Sequence, residues 1–382
     1  DGISISFSVN SYTGAGMREE VESVAKTMSQ FLNSGFITQA DFLRSREAIY
    51  NRALEKQRRR EAYKSNDGAS AMSEKSKPKA SELFKKLKDS LEFVKYSKEY
   101  RLNEYDAESV LQISYKDIIA YFNKFYNSDN TFAMLVGDFT DKESEDLFKK
   151  HFGKQKRGVR YVDTTKVNYI YNFPTARKIY ALHVPGAAQA SISVRWPLVD
   201  AFPYADNEAL IKVLSQIFGE NYSSYINKNL RLDKGLCYGA KCFTSINATG
   251  GNSEVVTRVS PENTAYAVEN ILYEMLRIRN QKVSDIDLQT AKNTLLGEHA
   301  LSLSAINSPI ILGFAMVKEK YNLPDEYLHT YPQKIASITA EQIREAAQRY
   351  VKPYECIIYI EGDLDVIKDS LEKFGPVTYF RD

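Results

Sequence analysis

The sequence predicts an α+β fold of two related lobes, each a mostly antiparallel sheet with helices packed over one face. Three observations carry this reading: an ungapped internal repeat, a second repeat upstream of it, and strands separated by pairs of helices. The first repeat aligns "ISYKDIIAYFNKFY…MLVGDF" (113–139) with "ITAEQIREAAQRYV…IYIEGDL" (338–364). Ile113 pairs with Ile338, Ile118 with Ile343, Phe125 with Tyr350, and Gly137-Asp138 with Gly362-Asp363, each 225 residues apart. In both copies an Ile-Ser or Ile-Thr start caps an amphipathic helix, and a β-rich strand ending on Gly-Asp follows.

The second repeat aligns residues 17–42 with 264–288, matching Val21-Glu22 to Val268-Glu269 and Thr38 to Ser284 at an offset near 246. Each copy is an apolar-periodic helix, a break, and a Thr or Ser that caps a second helix. The offset then falls to 225, so the first copy carries about 21 extra residues, which the polar stretch 64–81 accommodates as a loop or lengthened helical hairpin. By the same alignment about 80 residues of a complete first lobe have no counterpart, so the first lobe is expected to be N-terminally truncated. The domain reading is a partial first lobe over 1–155 and a second lobe over 156–382.

The second lobe can be sketched in order. Residues 178–199 give two strands around a Pro-Gly turn, and 207–234 give a helix, a break at Gly219 and another helix. Residues 235–260 give a hairpin with Gly250-Gly251 at the bend. Long helices over 263–281 and 284–305, one near 310–320, one at 340–351, and a closing strand and helix complete it.

Composition narrows the function classes. A net charge of +2 gives no field that would select nucleic acid or a membrane surface. The basic run "EKQRRREAYK" has interleaved acids and few stacking aromatics, so it reads as a solvated helix face. No apolar run reaches the roughly 18 residues of a membrane span. Three cysteines (Cys237, Cys242, Cys356) form no C-x-x-C pair and no disulfide framework.

Several motifs occur in a set order: Gln189-Ala190 in a strand, Phe-Gly between helices, Ser223-Ser224 leading to Leu230-Arg231, Lys234-Gly235-Leu236 with Tyr238, and the Gly-Asp strand ends. This order resembles the pitrilysin/insulinase (M16) family of zinc metallopeptidases, which includes the mitochondrial processing peptidases. The resemblance implies paired αβ lobes that close, two pairs together, on a peptide. It implies a catalytic half with a His-x-x-Glu-His zinc motif and a more distant glutamate, and a half that lacks them. The four histidines, His151, His183, His299 and His329, do not form that motif. "LLGEH" (295–299) has Leu295 where the first histidine would stand, and Glu47 and Glu55 are unassigned helix carboxylates. No catalytic residue and no metal ligand is therefore expected in this chain, with zinc expected in the catalytic half.

The resemblance also implies that Arg231 and Tyr238, seven apart, contact substrate from the second lobe. Gly235 can end the helix in left-handed geometry and leave Arg231 in its last turn, so that the two donors converge. Both suit a peptide carbonyl or the oxyanion that forms on it. The plainer alternative is an arginine on C-terminal carbonyls and a tyrosine packed in the sheet. The resulting expectation is a substrate-binding, non-catalytic half of a zinc endopeptidase. Its partners would be a peptide or unfolded protein and a catalytic half, in the same polypeptide or a second subunit. The alternative is a stand-alone binding or assembly subunit on the same fold. Bacterial relatives are often exported, which allows a periplasmic parent, although no residue of the chain shows one.

Overall fold

The structure, a computed structural model, describes residues 2–7, 12–17, 20–34, 37–66, 79–91, 94–96, 106–131, 133–136, 138–160, 169–201, 207–247, 250–304, 314, 318 and 323–381. The chain divides into two compact units. One comprises Asp1–Ser76, Lys98–Val167 and Ala300–Pro324; the other comprises Lys77–Ser97, Asn168–His299 and Asp325–Asp382. Segments 77–97 and 300–324 thus each lie across the 155/156 boundary read from the sequence.

In the first unit, β1 (Gly2–Phe7) pairs antiparallel with β2 (Tyr12–Met17) and with a later strand at Ala133–Val136. Helix α1 (Val21–Ser34) places Val21, Ala25, Met28 and Leu32 on one face at helical spacing. That stripe packs with Leu147 and Phe152 from a helix at Asp141–Phe152. Helix α2 (Gln39–Asn66) starts at Thr38, whose hydroxyl accepts the Asp41 amide while the Asp41 carboxylate takes the Thr38 amide. Its Phe42 ring lies 6.0 Å from Tyr115.

The second unit holds a six-stranded sheet. After α3 (Ala80–Ser90), β3 (Val94–Tyr96), α4 (Ala107–Gln112), α5 (Tyr115–Phe125), β4 (Ala133–Val136), α6 (Asp141–Phe152) and β5 (Tyr169–Tyr171) come its first strands, β6 (Lys178–His183) and β7 (Ala190–Leu198). Helix α7 (Glu208–Ser215) and the short α8 (Tyr225–Asn227) precede β8 (Ala240–Asn247) and β9 (Gly250–Val259). Then follow α9 (Thr264–Asn280), α10 (Asp285–Ser304), α11 (Tyr327–Ser337), α12 (Ala340–Tyr350), β10 (Ile357–Gly362), α13 (Leu364–Leu371) and β11 (Val377–Phe380). The sheet order is β11-β6-β10-β7-β9-β8, with three of its five ladders antiparallel. The fold is α+β, as the sequence predicts.

The helices and strands of the 113–139 and 338–364 segments match closely. Helix α5 has a Ser114/Asp117 capping box and α12 a Thr339/Gln342 one, and both ends of the two helices are 225 residues apart. Phe125 and Tyr350 are the last residue of each. The strands differ in setting: β4 has β1 as its described neighbour, whereas β10 lies between β6 and β7. Gly137 lies outside the described residues, and of the helix expected near 310–320 only 314 and 318 are described. Gly362 is required where β10 crosses β7, because a Cβ there would sit 2.9 Å from the Ala190 Cβ. Asp363 then caps α13 by accepting the Asp365 amide.

One expectation gains a long-range feature and two are corrected. Residues 178–199 form the two expected strands around the Pro185-Gly186 turn, and β10 inserts between them, parallel to β6 and antiparallel to β7. The linking loop has to cross an inserted strand, about 10 Å at two strand spacings, which a tight hairpin turn does not span. Gly219 does not break a helix. Helix α7 runs on through a wider π turn at Gln216–Glu220, and Gly219 permits close approach to β8, since a Cβ there would meet the Cys242 Cβ at 2.2 Å. Finally, helices cover more than one face. Most of the core, including Trp196, Ile271, Met275 and Ile360, lies on the α7/α9/α12 side, where the Trp196 indole donates to the Tyr350 carbonyl (2.9 Å). On the other face α3 packs Phe84 against Tyr359 and Phe380, while Lys88 pairs with Glu361.

Two glycines predict opposite effects of one added methyl. Gly219→Ala should lower unfolding stability by about 1–3 kcal/mol through overpacking against β8. Gly297→Ala, on a helix where a Cβ meets nothing within 4 Å, should raise it by about 1 kcal/mol. Denaturant unfolding of both variants checks the pair, and equal shifts would contradict the packing described for Gly219.

Candidate functional site

The site is built by the segment 216–239, which crosses over β8. After the π turn the chain bends at Asn221, whose amide donates to the Thr294 hydroxyl (3.1 Å). It re-enters a helix at α8 and winds through a second π turn at Lys228–Asp233. Gly235, at φ +63, ends this helix in the left-handed region. Its amide donates to the Arg231 carbonyl (3.1 Å) and the Leu236 amide to the Leu230 carbonyl (2.8 Å), closing orphan helix acceptors. The main chain thereby leaves the helix just after Arg231 and rises directly to Tyr238.

Arg231 and Tyr238 converge. The Arg231 guanidinium carbon lies 5.1 Å from the centre of the Tyr238 ring and 5.1 Å from that of Tyr222. Tyr238 is 92% exposed and Tyr222 61% exposed, while Arg231 is half-buried. A guanidinium in contact with ring faces keeps its planar fork of N–H donors. Among the described residues no carboxylate pairs with Arg231. Such a fork can bind a carbonyl or a developing oxyanion, with the Tyr238 hydroxyl as a second donor.

The segment is held from below by a buried acid. Glu274 on α9, 1% exposed, accepts from the Asn229 amide (2.5 Å) and pairs with Arg277 (2.9 Å). Asn229 in turn accepts from Lys234 (2.8 Å). Arg277 lies over the Tyr225 ring at 3.9 Å, and the Tyr225 hydroxyl donates to Asp287 (3.2 Å). Burial, with the Asp287 charge beside it, pushes the Tyr225 phenol up to about 12. Burial also raises the Glu274 carboxyl above the usual carboxylate range, against the pull of Asn229 and Arg277.

The sheet edge beside Tyr238 is occupied at two positions. The outward amide of Ala240 donates to Asn227 Oδ1 (3.2 Å), and that of Thr244 donates to the Glu220 carboxylate. These side chains from the crossing segment occupy β8's free hydrogen-bonding groups at both positions. The open surface is instead the sheet face at Tyr238, where a cavity of about 630 Å³ lies over β7, β8 and β9.

The residues present do not fit a catalytic zinc of the His-x-x-Glu-His kind. His151 lies 3.1 Å from Glu22, His299 is buried against the Leu328 carbonyl and the Tyr331 ring, and His329 is exposed. The one group of three metal-ligating residues found among the described residues is His183, Asp363 and Asp365. Its atoms already have partners: His183 Nδ1 accepts the Leu364 amide, Asp363 accepts the Gly186 and Asp365 amides, and Asp365 pairs with Arg381. The group closes the end of β10 and serves the fold. Glu47 and Glu55 are exposed on α2.

Sequence reasoning identified Arg231 and Tyr238 but missed Tyr222 and Glu274. Glu274 had a readable signal, a carboxylate inside the apolar stripe Ile271, Met275, Ile278; Tyr222 had none, since its approach depends on the bend at Asn221. The raised pKa of Glu274 gives a signed prediction. The fold favours its protonated form, so that contribution is present below the ordinary value of 4.5 and is lost as pH rises through the folded-state pKa. Glu274→Gln should therefore gain stability relative to wild type as pH rises from 4 to 8, read by denaturant unfolding at each pH. A pH-independent difference would contradict the raised pKa.

The family model described as the peptidase M16 inactive domain matches residues 112–295. No curated protein sequence gives a match. Among solved structures, a peptidase M16 inactive domain from Pseudomonas fluorescens is similar at TM-score 0.63 and 17% identity, over 92% of this chain and 77% of that one. A ferredoxin protease in complex with Arabidopsis ferredoxin is similar at TM-score 0.61 and 14% identity, over 94% of this chain and 37% of that one. A chain of complex III2 from Candida albicans is similar at TM-score 0.61 and 13% identity, over 97% and 83%. At these identities the solved structures speak for the fold, and no helix among the described residues is long and apolar enough to cross a membrane. The family model matches just under half of the chain, residues 112–295, and the solved structures share its fold, so this stretch is similar to the peptidase M16 inactive domain.

Proposed function

We propose that the chain is the substrate-binding, non-catalytic half of a zinc-dependent endopeptidase, acting with a catalytic M16 half on a peptide or unfolded protein. The observation that carries this reading is the Arg231 guanidinium held between Tyr222 and Tyr238 at the open end of β8. When the halves close, the Arg231 fork and the Tyr238 hydroxyl donate to the carbonyl of the bond to be cut. They hold it more strongly as negative charge develops on the oxygen. The catalytic half supplies zinc and the activated water. Binding to a protein is a property of one similar structure, the ferredoxin protease with its ferredoxin, and supports a macromolecular substrate. The resemblance allows a periplasmic parent.

A second reading, an assembly subunit without peptidase function, is favoured by the likeness to a complex III2 chain. Such a role has no need of an unpaired arginine fork at an open surface, which is why the first reading is preferred.

In the assembled enzyme, Arg231→Ala or Tyr238→Phe should lower kcat/KM by about 10²–10³, as for loss of an oxyanion donor. Unfolding stability should stay nearly constant, because neither side chain holds the core. The chain alone should show no chelator-sensitive peptidase activity. Wild-type cleavage rates in both variants would reject the substrate-contact role.

A further inference from the structure

Beside Tyr238 the open sheet face carries positive charge that the donor pair does not use. The cavity of about 630 Å³ is lined by Lys241 from β8, Val256 and Arg258 from β9, and Gln189 and Ser191 at the start of β7, with Tyr238 at its rim. Strand pairing explains the grouping. Lys241 lies opposite Val256, and Ser191 lies opposite Arg258, so Lys241 and Arg258 are diagonal neighbours on one face, at positions about 7–8 Å apart along the backbone. Both side chains are exposed, and among the described residues neither pairs with a carboxylate. Among the described residues no acid lines the cavity. On the same face Glu254 is the other diagonal neighbour of Lys241 and accepts from the Ser193 hydroxyl (2.5 Å), and Glu361, opposite Ser191, pairs with Lys88. Two like charges therefore face one solvent-filled space whose own lining holds no acid, and an anion between them would relieve their repulsion.

We infer that this cavity is a specificity subsite for an acidic side chain of the peptide, an Asp or Glu near the bond held by Arg231 and Tyr238. The inference rests on the proposed substrate-binding role and adds the class of peptide that is preferred. Tyr238 connects the two places, because it touches Arg231 and lines the cavity. Lys241 is three residues along the chain from Tyr238, roughly 10 Å in an extended strand. The acidic residue thus falls within about three residues of the anchored carbonyl, given the same rise per residue in an extended peptide. The flanking Ser191 hydroxyl and Gln189 amide supply neutral donors that a carboxylate can also accept from. The subsite raises affinity for acidic peptides and leaves the donor pair's task unchanged.

The test is calorimetric titration of the full chain with capped peptides of one sequence, N-acetylated and C-amidated, so that a side chain is the only source of carboxylate. Glu, Gln or Lys is placed in turn at each position near the centre. At low salt the best-placed Glu peptide should bind about five- to tenfold tighter than its Gln counterpart, with Lys weakest. Raised salt should shrink that preference. Lys241→Glu/Arg258→Glu should reverse the order, and the milder Lys241→Gln/Arg258→Gln should abolish it, each with an unchanged unfolding transition. Arg231→Ala should weaken all three peptides alike. Equal affinity of the three peptides for wild type, or an acid preference that survives both double variants, would overturn the subsite while leaving peptide binding intact. Failure of every peptide to bind wild type would overturn the subsite and the proposed function together.

Discussion

The geometry of the site depends on how the segment 216–239 is fastened to the sheet and to α9. Gly219 lets the helical segment come into direct contact with β8 at Cys242, a separation that any Cβ would prevent. Below it, Glu274 accepts from Asn229 and pairs with Arg277, so a carboxylate from α9 fixes the turn that carries Arg231. A buried carboxylate is costly unless it is paired and hydrogen-bonded, and its raised pKa records that cost. The π turn at Lys228–Asp233 then sets the angular position of Arg231, and Gly235 releases the chain so that Tyr238 comes back over it. A side chain of about 2 kcal/mol rotamer entropy is thus held close to a single place by its two ring contacts.

The fastening has a second consequence. The residues that hold the segment, Asn227 and Glu220, use up outward amides of β8 at Ala240 and Thr244. The sheet is closed along that edge at those positions and open on its face instead. Helices pack against the other side of β7 and β9, while α3 covers the strands β6, β10 and β11 with Phe84 on the open side. The uncovered part of that side is where Tyr238, Lys241 and Arg258 meet. A peptide at this surface would be held by side-chain donors and charge, with the sheet as a platform.

The matched helices were legible because capping and apolar period are local. The Ser114 and Thr339 boxes, the 225-residue offset of both helix ends, and the Thr38 and Ser284 caps could all be read from single stretches. Strand neighbours were not legible. Residues 178–199 show two strands and a turn locally, and the insertion of β10 between them is a long-range pairing. Gly219 looked like a breaker because a glycine in a helix costs stability, but the constraint lay across the gap in β8. The Arg231–Tyr238 pair was readable as a spacing around Gly235, which fixes a turn. The approach of Tyr222 and the diagonal placement of Lys241 and Arg258 depend on chain bending and strand register, which no local pattern records.

The account's central claim is that the Arg231 fork, framed by two tyrosines, is an anchor for a peptide carbonyl. A crystal structure of the chain with a capped peptide that binds it tests this most directly. The account predicts a peptide carbonyl oxygen within hydrogen-bond distance of the Arg231 guanidinium and the Tyr238 hydroxyl, with the peptide lying over the face of β7–β9. A peptide bound away from this face, or one lying on it with Arg231 turned to a protein carboxylate, would contradict it.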